Sequence, residues 1–196
     1  MSRPTKAIID LQALRNNFQL AQSLAPQSNT IAMVKANAYG HGAAEVSGAL
    51  ADIAPAFGVA CIEEALDLRA AGISNPILLL EGTFSANEVG TAAQHGFWLM
   101  VENHPQKEAI LTADISHPVQ VWLGVDTGMH RLGFEPAEIA EVYRILNASS
   151  NVSEQIVVSS HFASADDLDN QTTNKQIECF DACMPNNPNA LSSLTN

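Results

Sequence analysis

The sequence predicts an α/β fold of the (β/α)8 TIM-barrel type, and three observations carry that prediction. Short β-branched or apolar runs alternate with longer amphipathic ones at least six times. The short runs read as strands buried on both faces, the pattern of a parallel sheet covered by its own crossover helices. No glycine-rich fingerprint follows the first of them, which favours a barrel over an open, doubly wound sheet.

The elements follow in order. Lys6–Asp10 (KAIID) reads as an extra strand, and Leu11–Leu24 as a helix behind it. Strands are then expected at Thr30–Lys35, Phe57–Ala60, Pro76–Leu80, Phe97–Val101, Val119–Val125 and Gln155–Ser160, each dense in Val, Ile, Leu or Phe. Between them, Ala43–Ala51, Cys61–Ala71, Ser85–His95, Pro105–Leu111, Pro136–Asn147 and Thr172–Met184 have helical spacing. Ser85 and Pro136 supply start signals, and Gly72 and Gly96 punctuate helix ends. Leu191–Asn196 (LSSLTN) reads as a seventh barrel strand. A complete barrel takes about 250 residues. This chain of 196 residues is therefore expected to be truncated before its eighth unit, with residues 1–10 an N-terminal strand and 11–196 an incomplete barrel.

Composition excludes several functions. The formal charge of −12 comes from 21 acidic against 9 basic residues, with no Lys/Arg-rich run, so neither nucleic acid nor an anionic membrane surface is an expected partner. The opening MSRPTKAIIDLQAL has no apolar core of a signal peptide, and no apolar run would span a bilayer. Cys61, Cys179 and Cys183 are too sparse for a disulfide scaffold, and a reducing cytoplasm suits them.

In a parallel barrel the chemistry sits after the strands. Lys35 closes the first strand, Asp126 to Arg131 follow the fifth, and His161 follows the sixth. A partly desolvated strand-end lysine has its neutral amine within reach, as imine chemistry requires, although the same position suits a lysine that merely snorkels to solvent. Tyr39, Gly40 and Gly42 follow in one loop, where backbone amides and a phenol could cradle a phosphate. Arg131 could equally be a surface cation, and His161 the anchor of a hydrogen-bond network.

MVKANAYGHG (Met33–Gly42) resembles the pyridoxal-phosphate lysine motif of the alanine racemase family. AIIDLQALRNN near the start, VDTGMHRLGF (Val125–Phe134) and SHFASAD (Ser160–Asp166) resemble that family's segments in the same order. The resemblance implies a barrel followed by a β-rich C-terminal domain, which this chain lacks, working as a head-to-tail homodimer in D-alanine supply for cell-wall precursors. It implies that Lys35 binds the aldehyde of pyridoxal 5′-phosphate and acts as one of two acid/base groups. Tyr39 would touch the phosphate, Arg131 the phenolic oxygen near the substrate carboxylate, and His161 the pyridine ring. Leu80 would line the cofactor.

Two departures qualify this. The family's second base is a C-terminal tyrosine, and neither Tyr39 nor Tyr143 matches it, so residues 1–196 alone are not expected to racemise alanine. Gly124 stands where many relatives carry a lysine that, once carbamylated, hydrogen-bonds the arginine seven residues on. A non-catalytic cofactor-binding barrel is the alternative reading. The tripeptide Asp126-Thr127-Gly128 suggests an aspartic protease, but such enzymes need two of these in a β-rich fold, and one in α/β surroundings argues against it. No HExxH or paired CxxC grouping points to a metal.

Overall fold

The computed structural model describes residues 4–167, 169–187 and 190–195. The chain divides into two compact units, Met1–Leu78 and Leu79–Asn196. Asn196, the last residue of the expected seventh strand, and residues 1–3 of the expected N-terminal strand lie outside the described residues.

In the first unit, α1 (Leu11–Leu24) is capped by Asp10, whose carboxylate accepts the Gln12 and Ala13 N–H groups. Its Arg15 forms a bidentate pair with Asp52 at 2.5 and 2.9 Å and also donates to the Ala49 carbonyl, tying α1 to the end of α3 (Ala43–Leu50). β1 (Ile31–Met33) and β2 (Ala56–Val59) pair in parallel, Ile31 opposite Ala56 and Met33 opposite Gly58. α4 (Ile62–Ala70) follows β2 and buries Ile62, Ala65 and Leu68. Asn75 closes the unit by donating to the Ala51 and Ala54 carbonyls, both at 2.9 Å. β3 (Ile77–Leu79) spans the junction of the units.

One expectation fails here. Residues 6–10 form no strand: the segment pairs with nothing among the described residues, and Ile8 is 89% exposed. An apolar pattern alone makes no strand without a neighbour to hydrogen-bond, and Asp10 is committed to the helix cap instead.

In the second unit, β4 (Phe97–Val101), β5 (Gln120–Gly124), β6 (Val157–His161) and β7 (Leu191–Thr195) pair in parallel and in chain order. Helices α5 (Asn87–His95), α6 (His104–Thr112), α7 (Ile139–Asn147) and α8 (Thr172–Cys183) connect or follow them, with a 3₁₀ turn at Pro136–Glu138 leading into α7. Asn103 caps α6 through the Gln106 N–H, and Gly96 ends α5 in the left-handed conformation its sequence position implied. Ser85 lies ahead of α5 and bonds Glu88 Oε1 at 3.0 Å, while the N-cap itself is Ala86. The core is aliphatic: Leu79, Leu99, Val121, Leu123, Ile139 and Val158 are essentially without solvent contact. Burying each such side chain contributes about 1.5–3 kcal/mol. β4 departs from burial on both faces: Trp98 and Met100 are half-exposed, and Trp98 stacks on Trp122 of β5 at 6.0 Å.

Candidate active site

Lys35 stands two residues beyond β1, at the head of the short α2 (Lys35–Tyr39). That helix winds left-handed. Ala36, Asn37 and Ala38 have φ/ψ near 51/49, 55/47 and 51/48°, and Tyr39 has φ 53°. L-residues in this region cost roughly 1–2 kcal/mol each, so the turn persists only because its surroundings fix it. The sequence helps by placing small residues and an asparagine there. Asn37 Oδ1 accepts the Ala43 N–H at 2.8 Å, and its carbonyl accepts Gly40 and Gly42 N–H at 3.0 Å.

The principal clamp is Glu64 on α4. One carboxylate oxygen accepts the Ala36 N–H at 2.7 Å and the other the Ala60 N–H at 2.8 Å, so a single side chain ties the residue after Lys35 to the end of β2. Lys35 is half-buried, and its amine makes no hydrogen bond or ion pair among the described residues. No carboxylate among the described residues is paired with it. Tyr39 is 61% exposed.

In the second unit, Leu80 follows β3 and is half-buried. The segment Asp126–Gly133 leaves β5 and returns through reciprocal bonds, Asp126 N–H to Phe134 O at 2.9 Å and Phe134 N–H to Gly124 O at 3.0 Å. Gly133 makes that return possible: a Cβ there would stand 2.6 Å from the Asp126 nitrogen. Burial disfavours the Asp126 carboxylate, but the amides of His130 and Gly128 and the His130 ring together hold it below the usual carboxylate range. Its oxygens therefore serve the loop, not acid chemistry, which removes the structural basis for a protease reading. Arg131 projects from this loop, exposed and without a direct ion pair among the described residues.

His161 ends β6. Its carbonyl accepts from Gln176 Nε2 at 3.0 Å, while Gln176 Oε1 accepts the Ala163 N–H at 2.9 Å. Gln176, buried to 1% exposure, also donates to Thr127 Oγ1 at 3.1 Å. Ser160 spends its hydroxyl hydrogen on the Val125 carbonyl at 2.9 Å, so Thr127 must donate the 2.7 Å bond between the two hydroxyls. This relay fixes the β5 loop against the end of β6.

The structure thus puts Lys35 and Tyr39 on one turn, and fastens the loop of Arg131 to the strand of His161. Sequence reasoning missed Glu64 and Gln176. Their polarity was visible, but partners 28 and up to 49 residues away were not.

Comparison with known proteins gives this arrangement a context. The family described as "Alanine racemase, N-terminal domain" matches residues 9–195. An alanine racemase of Pseudomonas entomophila is 50% identical over 180 residues, covering 92% of this chain and 50% of that protein. The crystal structure of the biosynthetic alanine racemase from Pseudomonas aeruginosa superposes with a TM-score of 0.84 at 46% identity, over 87% of this chain and 48% of that one. The alanine racemase of Acinetobacter baumannii gives 0.81 at 36% identity, over 95% and 55%. The chain spans about half the length of the relatives it matches, and its fold class is the parallel α/β barrel of their N-terminal domain. A match to residues 9–195 and an identity of 50% at 92% coverage establish that this chain belongs to the alanine racemase family, as its N-terminal domain.

Proposed function

We propose that this chain carries the pyridoxal 5′-phosphate half of an alanine racemase, with Lys35 as the residue that holds the cofactor aldehyde and one of two acid/base groups. The observation that carries this is the half-buried Lys35 amine, without a partner among the described residues, on a strained turn held by Glu64. The remaining side chains fit the same cofactor chemically: a phenol at Tyr39 for a phosphate oxygen, a permanently charged guanidinium at Arg131 for the phenolic oxygen and a substrate carboxylate, an imidazole at His161 and an apolar Leu80 for the ring.

Pyridoxal phosphate, when bound, acidifies the Cα–H of an amino acid by drawing the developing charge into its ring. Lys35 Nζ then takes the Cα proton on one face and can return it only to that face. Inversion needs a second group on the other face. Tyr39 is spoken for by the phosphate, and the Tyr143 hydroxyl accepts from Asn187 Nδ2 at 2.8 Å at the buried side of α7, so neither is that group. Residues 1–196 by themselves therefore bind and deprotonate, but do not racemise. In the whole protein the reading is a cytoplasmic homodimer interconverting L- and D-alanine for cell-wall precursors, of which the relatives' names support the alanine racemase activity.

The test uses the cofactor-loaded chain with each alanine enantiomer in D2O. Deuterium should enter Cα of one enantiomer with configuration retained. Full racemisation, or no exchange with either enantiomer, contradicts the proposal.

A further inference from the structure

Leu80 leaves β3 into a turn with little latitude. The Gly82 N–H donates back to the Leu79 carbonyl at 3.1 Å, and Gly82 holds a φ of +66°. A Cβ at 82 would strike the Met100 carbonyl of β4 and stand 2.7 Å from Gln106 Nε2, so only glycine lets the turn close onto the neighbouring strand. Gln106, in the first turn of α6, holds it there. Its Nε2 donates to the Glu81 carbonyl at 2.7 Å and, at a longer 3.4 Å, to the Thr83 carbonyl. Its Oε1 accepts the N–H of Glu102, the residue directly after β4, at 2.9 Å. One amide thus gives its hydrogens to the turn and takes one from the strand end. A carboxylate has no hydrogen to give, and a lysine or arginine no lone pair to accept with, so this brace calls for an amide side chain. The Asn103 cap accepts the Gln106 N–H at 3.0 Å and fixes the backbone from which that amide reaches.

We propose that Gln106 is a positioning residue for Leu80: by pinning the turn after β3 to the end of β4, it fixes where the leucine side chain stands. The proposal rests on the cofactor-lining role given to Leu80 above. Leu80 is bracketed by two bonded carbonyls, that of Leu79 held by Gly82 and that of Glu81 held by Gln106. The backbone that aims its half-buried side chain is therefore fixed on both sides. Without the Gln106 amide the Glu81 carbonyl and the Glu102 N–H lose these partners, and the turn is free to shift.

The experiment reads the leucine and the cofactor separately. In the cofactor-free chain with labelled leucine methyls, the Leu80 signals are assigned by their loss in Leu80→Ala. They should move in Gln106→Met, which has neither donor nor acceptor, and in Gln106→Glu, which keeps an acceptor for Glu102 and loses both donors. The methyls of the core residues Leu99 and Leu123 should stay in place, which shows that the variants are folded. Leu80 methyls unmoved in both variants overturn the proposal. The dissociation constant of pyridoxal 5′-phosphate, followed by imine absorbance, should weaken about tenfold in Gln106→Met and in Leu80→Ala, and no further in the double variant, because both changes remove one placement. Losses that multiply in the double variant overturn the proposal, since Gln106 would then act independently of Leu80. A wild-type chain that forms no imine would overturn the cofactor role of Leu80, while the methyl signals would still report whether Gln106 holds the turn.

Discussion

Above neutrality Glu102 holds a charge that its surroundings disfavour. An ordinary glutamate ionises near 4.5, whereas in this fold burial moves it to about 7. The folded chain therefore binds this proton more tightly than the unfolded one, so the associated stability is complete below the unfolded value and is lost as pH rises through about 7. Glu102→Gln, which cannot ionise, should melt a few degrees above wild type at about pH 8.5, with the gap closing below about pH 5; differential scanning calorimetry across that range checks it. Gln176 makes a different case. Gln176→Ala strips partners from the Ala163 N–H, the His161 carbonyl and Thr127, and should lower unfolding stability by about 2–4 kcal/mol in urea titrations. Lys35, Arg131 and His161, the residues proposed for the site, could be named from their place after apolar runs. Glu64 and Gln176 could not, because each binds backbone brought near it only by folding.

The α2 turn is the element on which the lysine depends. Asn37 tolerates the left-handed region and also caps Ala43, so two substitutions separate these roles. Asn37→Gly keeps the backbone at ease and loses the side-chain bond. Asn37→Val loses both, and should cost about 1–2 kcal/mol more than Asn37→Gly in equilibrium unfolding. Equal costs would mean that the turn is not under strain. Glu64→Ala leaves the Ala36 and Ala60 N–H groups without their acceptor and should cost about 2–3 kcal/mol in unfolding stability, with slower imine formation at Lys35 in stopped-flow absorbance. Most strands and helices could be placed from the sequence because period and punctuation are local. The left-handed winding could not, since ANAY carries no glycine to announce it. Residues 6–10 misled in the opposite sense, as their apolar run suited a strand while no strand forms there among the described residues.

For the whole molecule, membership in the alanine racemase family rests on a match across residues 9–195 and on relatives twice as long as this chain. The fold class was legible because a parallel barrel repeats one pattern, and each repeat restates it. The central claim is that Lys35 is the cofactor lysine, and trapping tests it most directly. Pyridoxal 5′-phosphate is added to the chain, reduced with borohydride, and the modified peptide identified by mass spectrometry. The account predicts one adduct, on Lys35, abolished in Lys35→Ala. An adduct spread over Lys6, Lys107 and Lys175, or persisting in Lys35→Ala, would contradict it.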